Sequence, residues 1–245
     1  MFDVITIGSA TRDNFLEADY KLIDWPETPL KKAIALPFGE KLGVNKVYFT
    51  IGGNAANASV TFARQGFKTA CVAKIGADLA ANEFIARLKS ENVNAKLVIQ
   101  TEEKPTAYSV LLLRGGERTI LGYHGASDTF ELKDINFRKM KSRWWYLSLA
   151  GESDSLFSPL LKFAKDNGIK VAFNPSGHHL KHKRQEILDS LKDLTFLVLN
   201  EGEAAELTGI SFSAKGGPAS GWEKEAFKKL DKLMPGIVAV TGGPK

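Results

Sequence analysis

The sequence predicts an α/β fold, a mostly parallel sheet covered by helices on both faces, with a small projecting β lid. Three observations carry this. Short β-branched runs alternate with helical patterns along most of the 245 residues, and parallel neighbours need crossover helices. Two strand patterns are joined by Arg114-Gly115-Gly116-Glu117 with no helix between them, which marks an antiparallel hairpin outside any βαβ run. Hydrophobic residues at 44% and charged residues at 25% are globular proportions and exclude disorder, collagen and coiled coil.

The elements follow in chain order. Asp3–Ile7 reads as a strand ending at Gly8. Ala55–Arg64 reads as a helix with Asn54 as N-cap and Gly66 past its end. Thr69–Ile75 is a strand, and Asp78 caps a helix through Lys89 whose apolar face is Leu79, Phe84, Ile85 and Leu88. Thr106–Leu113 and Arg118–Tyr123 are the hairpin strands, and residues 14–50 are extended and rich in proline. Together these two segments, about 14–50 and 106–123, form the expected lid; an edge extension used for dimer contact fits the pattern equally. Trp144–Leu149 is a strand core, followed by a helix over Leu156–Asn167 stopped by Gly168. The strand Lys170–Phe173, a helix near Gln185–Leu191 and the strand Phe196–Leu199 come next. A helix over Gly202–Leu207, a helix over Glu223–Leu233 and the strand Ile237–Thr241 complete a single domain.

Lys plus Arg exceeds Asp plus Glu by 33 − 28 = 5. The excess is spread along the chain, which suits an anionic small ligand and lacks the clustering of a nucleic-acid footprint. Cys71 is the single cysteine, so no internal disulfide forms and a reducing, cytoplasmic setting is expected. The opening Met1-Phe2-Asp3-Val4, acidic at position 3, is not expected to act as a signal peptide, and no run approaches the ~20 apolar residues of a membrane span.

Four constellations carry chemistry. Gly52-Gly53-Asn54-Ala55-Ala56-Asn57 stands at the mouth of a helix. Glycines admit a ligand to the backbone, and free N–H groups and two carboxamides add polar contacts; an ordinary helix start after a glycine turn is the competing reading. Asp13 lies just beyond the first strand's carboxyl end, where parallel sheets bind ligands; it accepts hydroxyl hydrogen bonds there, or is a solvated loop residue. Asn200-Glu201-Gly202-Glu203 enters a helix from an apolar strand. Its amide and carboxylate, three apart, suit water around Mg²⁺ or phosphate oxygens, and equally a capping box. Val240-Thr241-Gly242-Gly243 delivers a hydroxyl and two glycines at a strand end. The tract His178–Arg184 reads as a loop of solvated cations rather than a metal site.

Taken in order, the motifs resemble the ribokinase-like PfkB carbohydrate kinases. The matching pieces are Ile7-Gly8-Ser9 through Asp13, Gly52-Gly53-Asn54-Ala55-Ala56-Asn57, and the hairpin ending Gly122-Tyr123-His124-Gly125-Ala126-Ser127. Phe173-Asn174-Pro175, Asn200-Glu201-Gly202-Glu203 and Val240-Thr241-Gly242-Gly243 continue the series. The resemblance implies a three-layer sandwich and transfer of a phosphoryl group from ATP to a sugar or nucleoside hydroxyl. It implies that Asp13, Gly53 and Asn57 bind substrate hydroxyls beside Gly52 and Asn54, under a hairpin that closes as a lid and can pair two copies. It assigns Asn200 and Glu203 to Mg²⁺ and ATP phosphates, and Thr241 and Gly243 to the start of the ATP site. The family's Gly-Ala-Gly-Asp motif, with its catalytic base, does not occur among these residues; Gly76-Ala77-Asp78 follows a different strand. The expectation is a C-terminally truncated kinase domain whose base lies beyond Lys245, or a sugar-binding module or half of a split enzyme.

Overall fold

The computed structural model describes residues 1–28, 30–210 and 222–242. The strands are β1 (Phe2–Gly8), β2 (Thr11–Glu17), β3 (Lys21–Asp24), β4 (Lys32–Ala35), β5 (Lys46–Gly52), β6 (Thr69–Val72) and β7 (Lys74–Gly76). They continue as β8 (Ile99–Thr101), β9 (Ala107–Arg114), β10 (Glu117–Tyr123), β11 (Ser142–Ser148), β12 (Lys170–Phe173), β13 (Phe196–Asn200) and β14 (Ile237–Thr241). The α-helices are α1 (Asn54–Arg64), α2 (Leu79–Ser90), α3 (Phe157–Asp166), α4 (Gly177–Ser190), α5 (Glu201–Thr208) and α6 (Trp222–Leu233).

Six strands form the central sheet in the order β14-β13-β12-β11-β1-β6, and each of these pairings is parallel. Because side chains alternate across a strand, the sheet sorts its residues onto two faces. Ile5, Ile7, Trp145, Leu147, Val171, Phe173, Leu197 and Leu199 share one core with Leu160 of α3, Leu180 of α4, Leu207 of α5 and Leu230 of α6. Trp145 is fully buried and stacks on Phe163, which stacks on Phe137, with centroids 5.6 Å and 4.3 Å apart. Cys71 lies on the opposite face, in a second core with Ala55 and Ala56 of α1 and Phe84 and Leu88 of α2. Small residues let α1 lie close to β1 and β6. Burial pushes the Cys71 thiol up to about 12, so it is a packed apolar group rather than a nucleophile.

A separate mixed sheet runs β10-β9-β2-β5. The expected hairpin is present, with β9 and β10 antiparallel, and β2 pairs parallel to β9 and antiparallel to β5. A β3–β4 hairpin packs over its outer surface, Ile34 reaching Leu16, Val110 and Leu112.

Three expectations are corrected. The run Thr69–Ile75 is two strands: β6 stays in the central sheet and β7 leaves it to pair with β8. Its continuous apolar pattern is the signature of burial on both sides, which does not say which sheet buries it. The N-cap of α1 is Gly53, and Asn54 is already helical. The tract His178–Arg184 is not a solvated loop but lies within α4, whose N-cap Ser176 accepts from the His179 N–H at 3.1 Å.

Inside that helix His179 is fully buried, edge-on to Phe157 and Phe173 at 5.0 Å and 5.5 Å. Burial pushes its pKa below the ordinary histidine value, against the opposing pull of Asp154 and Glu186. Its neutral form is therefore the one the fold holds. Its contribution is complete above the unfolded value of ~6.5 and is lost as pH falls below it, at up to ~1.4 kcal/mol per pH unit. Thermal unfolding between pH 8 and 5 should show this acid loss, and His179→Leu should flatten that part of the profile.

Candidate functional site

The site starts from a tight junction at the carboxyl edge of the central sheet. After β1 the chain passes through Ser9 and Ala10 into β2, and after β5 it turns through Gly53 into α1. Gly53 has φ +90°, a conformation that favours glycine, and a Cβ there would strike the Ser9 carbonyl and Ala10. Ser9 then binds the start of α1: its hydroxyl accepts from the Asn54 N–H at 3.0 Å and its carbonyl from the Ala55 N–H at 3.2 Å. The expected free N–H groups at this helix end are thus already spent at Asn54 and Ala55. The Asn54 side chain donates to Ser148 Oγ at the end of β11, at 2.9 Å.

Asp13 is not on a loop beyond β1 but on β2, whose register sets it between Ser109 of β9 and Thr50 of β5. Alternation sends Arg12 toward α2, where it pairs with Glu83 at 3.2 Å, and Asp13 to the other face. Thr11 Oγ1 donates to Asp13 Oδ1 at 2.7 Å, holding the carboxylate. A Cβ on Gly52 would overlap that same carboxylate, so the missing side chain makes the space Asp13 occupies. Asp13, Gly53, Asn54 and Asn57 line one cleft of about 510 Å³. Its roof is the inner face of the mixed sheet, with Phe15, Leu111, Ile120 and Arg118, and Tyr123 and His124 also line it. The cleft size and its few convergent polar groups suit a small polyol.

The second group stands along the same edge. Asn200 caps α5 and forms a reciprocal box with Glu203: Asn200 Oδ1 accepts from the Glu203 N–H, and Glu203 Oε2 from the Asn200 N–H, both at 2.8 Å. The capping reading of this motif is thus realised. Thr241 pairs with Asn200 across β13 and β14, and its hydroxyl donates to the Leu199 carbonyl at 3.4 Å. Burial raises the Glu203 carboxyl above the ordinary glutamate value, against the Asn200 N–H that favours its ionised form. Gly243 lies outside the described residues.

Gly76-Ala77-Asp78 offers no free base. Asp78 accepts from the Ala81 N–H, the Thr106 N–H and the Thr106 hydroxyl at 2.7–2.8 Å. Burial opposes its ionisation, but these hydrogen bonds outweigh it and hold the carboxyl below its usual range. Ser148 and Arg118 belong to none of the sequence motifs, and His124 enters only within the hairpin motif Gly122–Ser127. Ser148 has no local signal, since its role comes from the β1–β11 register. Arg118 was legible in principle, being in alternation with Ile120 and Gly122 on a hairpin strand.

With this geometry in place, the comparisons with known proteins identify the class. The pfkB family carbohydrate kinase profile matches residues 17–245, and the chain belongs to that family. Ribokinase of Mus musculus is 27% identical over 181 residues, covering 71% of this chain and 54% of the mouse protein. Deoxyribokinase of Salmonella typhi is 26% identical over 179 residues, covering 70% and 56%. The chain therefore spans about half the length of these curated relatives. The structure of Arabidopsis thaliana ribokinase complexed with ribose and ATP superposes with a TM-score of 0.73 at 22% identity, covering 99% of this chain and 72% of that one. Ribokinase from Giardia lamblia gives 0.76 at 19% identity, covering 99% and 69%. At these identities the structural likeness shows the ribokinase-like fold.

Capping and ligand roles at α5 separate by mutation. Asn200→Ala should cost ~1 kcal/mol in chemical denaturation, as loss of a cap. Glu203→Gln keeps an acceptor in the box and removes a carboxylate that burial disfavours. Wild-type stability should therefore fall relative to Glu203→Gln as pH rises from ~4.3 through the raised folded value, then run parallel above it.

Proposed function

We propose that this chain carries the substrate site and the beginning of the nucleotide site of an ATP-dependent kinase acting on a sugar or nucleoside hydroxyl. The observation that carries this reading is the convergence of Asp13, Gly53, Asn54 and Asn57 on one cleft under a separate sheet. Asp13, fixed by Thr11 and given room by Gly52, accepts hydrogen bonds from adjacent substrate hydroxyls. Asn54, its N–H₂ donating to Ser148, presents its carbonyl as a further acceptor, and Asn57 lies one turn along. The sheet β10-β9-β2-β5 acts as the lid of one kinase domain; its strands cover 11–17, 46–52 and 107–123, so the lid starts ahead of the expected 14–50 segment and includes Asp13. Closure over the cleft excludes water from the acceptor hydroxyl.

The nucleotide phosphates belong at Asn200, Glu203, Thr241 and Gly243. Three strand spacings separate β1 from β13 in the sheet order, about 14 Å, so this group and the cleft lie along one edge of the sheet. Among the described residues no group of three or more His, Cys, Asp or Glu could hold a metal ion. The donor set fits Mg²⁺ held through water and phosphate oxygens, which Glu203 and Asn200 would orient. When bound, Mg²⁺ offsets charge on the β- and γ-phosphates.

The Gly-Ala-Gly-Asp amides and base that the family resemblance calls for are not among these residues. For this stretch itself we therefore infer binding without phosphoryl transfer. Two copies meet through the lid, where Tyr48, Phe49 and Leu121 are exposed; light scattering tests this pairing. The setting we assign is cytoplasmic; among the described residues no helix is long and apolar enough to cross a membrane.

Calorimetric titration with sugars and nucleosides tests the main reading. Asp13→Asn should weaken binding by about 10–100-fold, the worth of hydrogen bonds to a charged group. Gly52→Ala, which forces a methyl against that carboxylate, should weaken it about ten-fold or more. Equal binding by wild type and both variants would remove the cleft from consideration.

A further inference from the structure

The cleft has a second charged group that the hydroxyl-binding reading leaves unused. Arg118 of β10 lines it, and among the described residues no carboxylate lies within ion-pair distance of its guanidinium. The register places it. Gly122 pairs with Ser109, which pairs with Asp13, so these three form one row across the sheet. Ile120, Leu111 and Phe15 form the next row on the same face. Arg118 stands in the row beyond, opposite Leu113. From Gly122 to Arg118 is four residues of strand, about 13 Å.

The roof therefore changes character along its length. It runs from a carboxylate beside two asparagines, past an open glycine and an apolar shelf, to a cation. Glu117, adjacent in sequence, points to the other face of the strand by alternation. Among the described residues, Asp13 and Arg118 are the Asp, Glu, Lys and Arg side chains on the cleft wall. A neutral sugar satisfies the first end and leaves the exposed Arg118 guanidinium to water. A sugar with an anionic group at its far end satisfies both, its C–H face lying over Phe15, Leu111 and Ile120.

We propose that Arg118 is a specificity-determining residue and that the preferred substrate is an anionic sugar, hydroxyls toward Asp13 and a carboxylate or phosphate toward the Arg118 guanidinium. This rests on the reading of the cleft as a sugar site. Arginine recognises both anions through the same paired N–H donors. Its place on the lid means that binding the anion also draws the lid toward the cleft.

Titration of the chain with ribose, fructose, gluconate and fructose 6-phosphate provides the test. At low salt at least one anionic ligand should bind about ten-fold or more tightly than the neutral sugars, and the advantage should shrink at 0.5 M salt, as ~4 Å screening predicts. The gluconate and phosphate arms identify which anion the site takes. Arg118→Gln should bring the anionic-to-neutral affinity ratio to about one, and Arg118→Lys should retain part of it. Neutral sugars binding as tightly as anionic ones, with an Asp13→Asn loss and no effect of Arg118→Gln, would overturn this proposal and leave the sugar site standing. No binding of any of the four would overturn both.

Discussion

The site depends on one constraint: the segments at Ser9, Gly53–Asn54 and Ser148 are tied together at the carboxyl edge of the sheet by backbone and side-chain hydrogen bonds, with no room for a Cβ at Gly53. Ser9 takes the first two N–H groups of α1, Gly53 turns the chain into that helix at a positive φ, and Asn54 ties the helix to Ser148 on β11. Helix dipole and unsatisfied amides would otherwise favour an anion at this point. Here the first two donors are taken internally by Ser9, which fixes the start of the helix. What remains for a ligand is the Asp13 carboxylate, the Asn54 carbonyl and the Asn57 carboxamide, a mainly accepting set suited to hydroxyls.

The mixed sheet extends this logic. A carboxylate on a β-strand has its direction set by strand alternation, and β2 turns Asp13 inward while sending Arg12 to Glu83 on α2. The same alternation on β10 brings Ile120 and Arg118 over the cleft. The roof is therefore coded by every second residue of three strands, whose pairing partners are far apart in sequence, as with Asp13 and Ser109. Asp78, gripping Thr106 at the entry to β9 through two hydrogen bonds, fastens this roof to the body of the protein.

Much of the architecture was legible because it follows from local chemistry. Asp78 before an apolar periodic run, Asn200 three residues ahead of Glu203, and Gly115-Gly116 between alternating strands each specify an end or a turn within a few residues, and each is found so. Two misreadings share a cause. The His178–Arg184 tract looks solvated because six of its seven residues are polar, yet Ser176 starts a helix whose period turns His179 and Leu180 into the core. Thr69–Ile75 looks like one strand because burial erases the alternation that would mark its break.

The sequence by itself determined the order of strands and helices, the glycine turns and caps, and the family motifs, because these are set by dihedral preference and side chains within one turn of each other. Only the tertiary structure decided that Asp13 lies on a strand and not a loop, that Ser9 and Ser148 hold Asn54, and that Arg118 shares a cleft with Asp13. Those relations are fixed by strand register across the sheets, and register is settled by the packing of whole faces, not by any residue's neighbours in the chain.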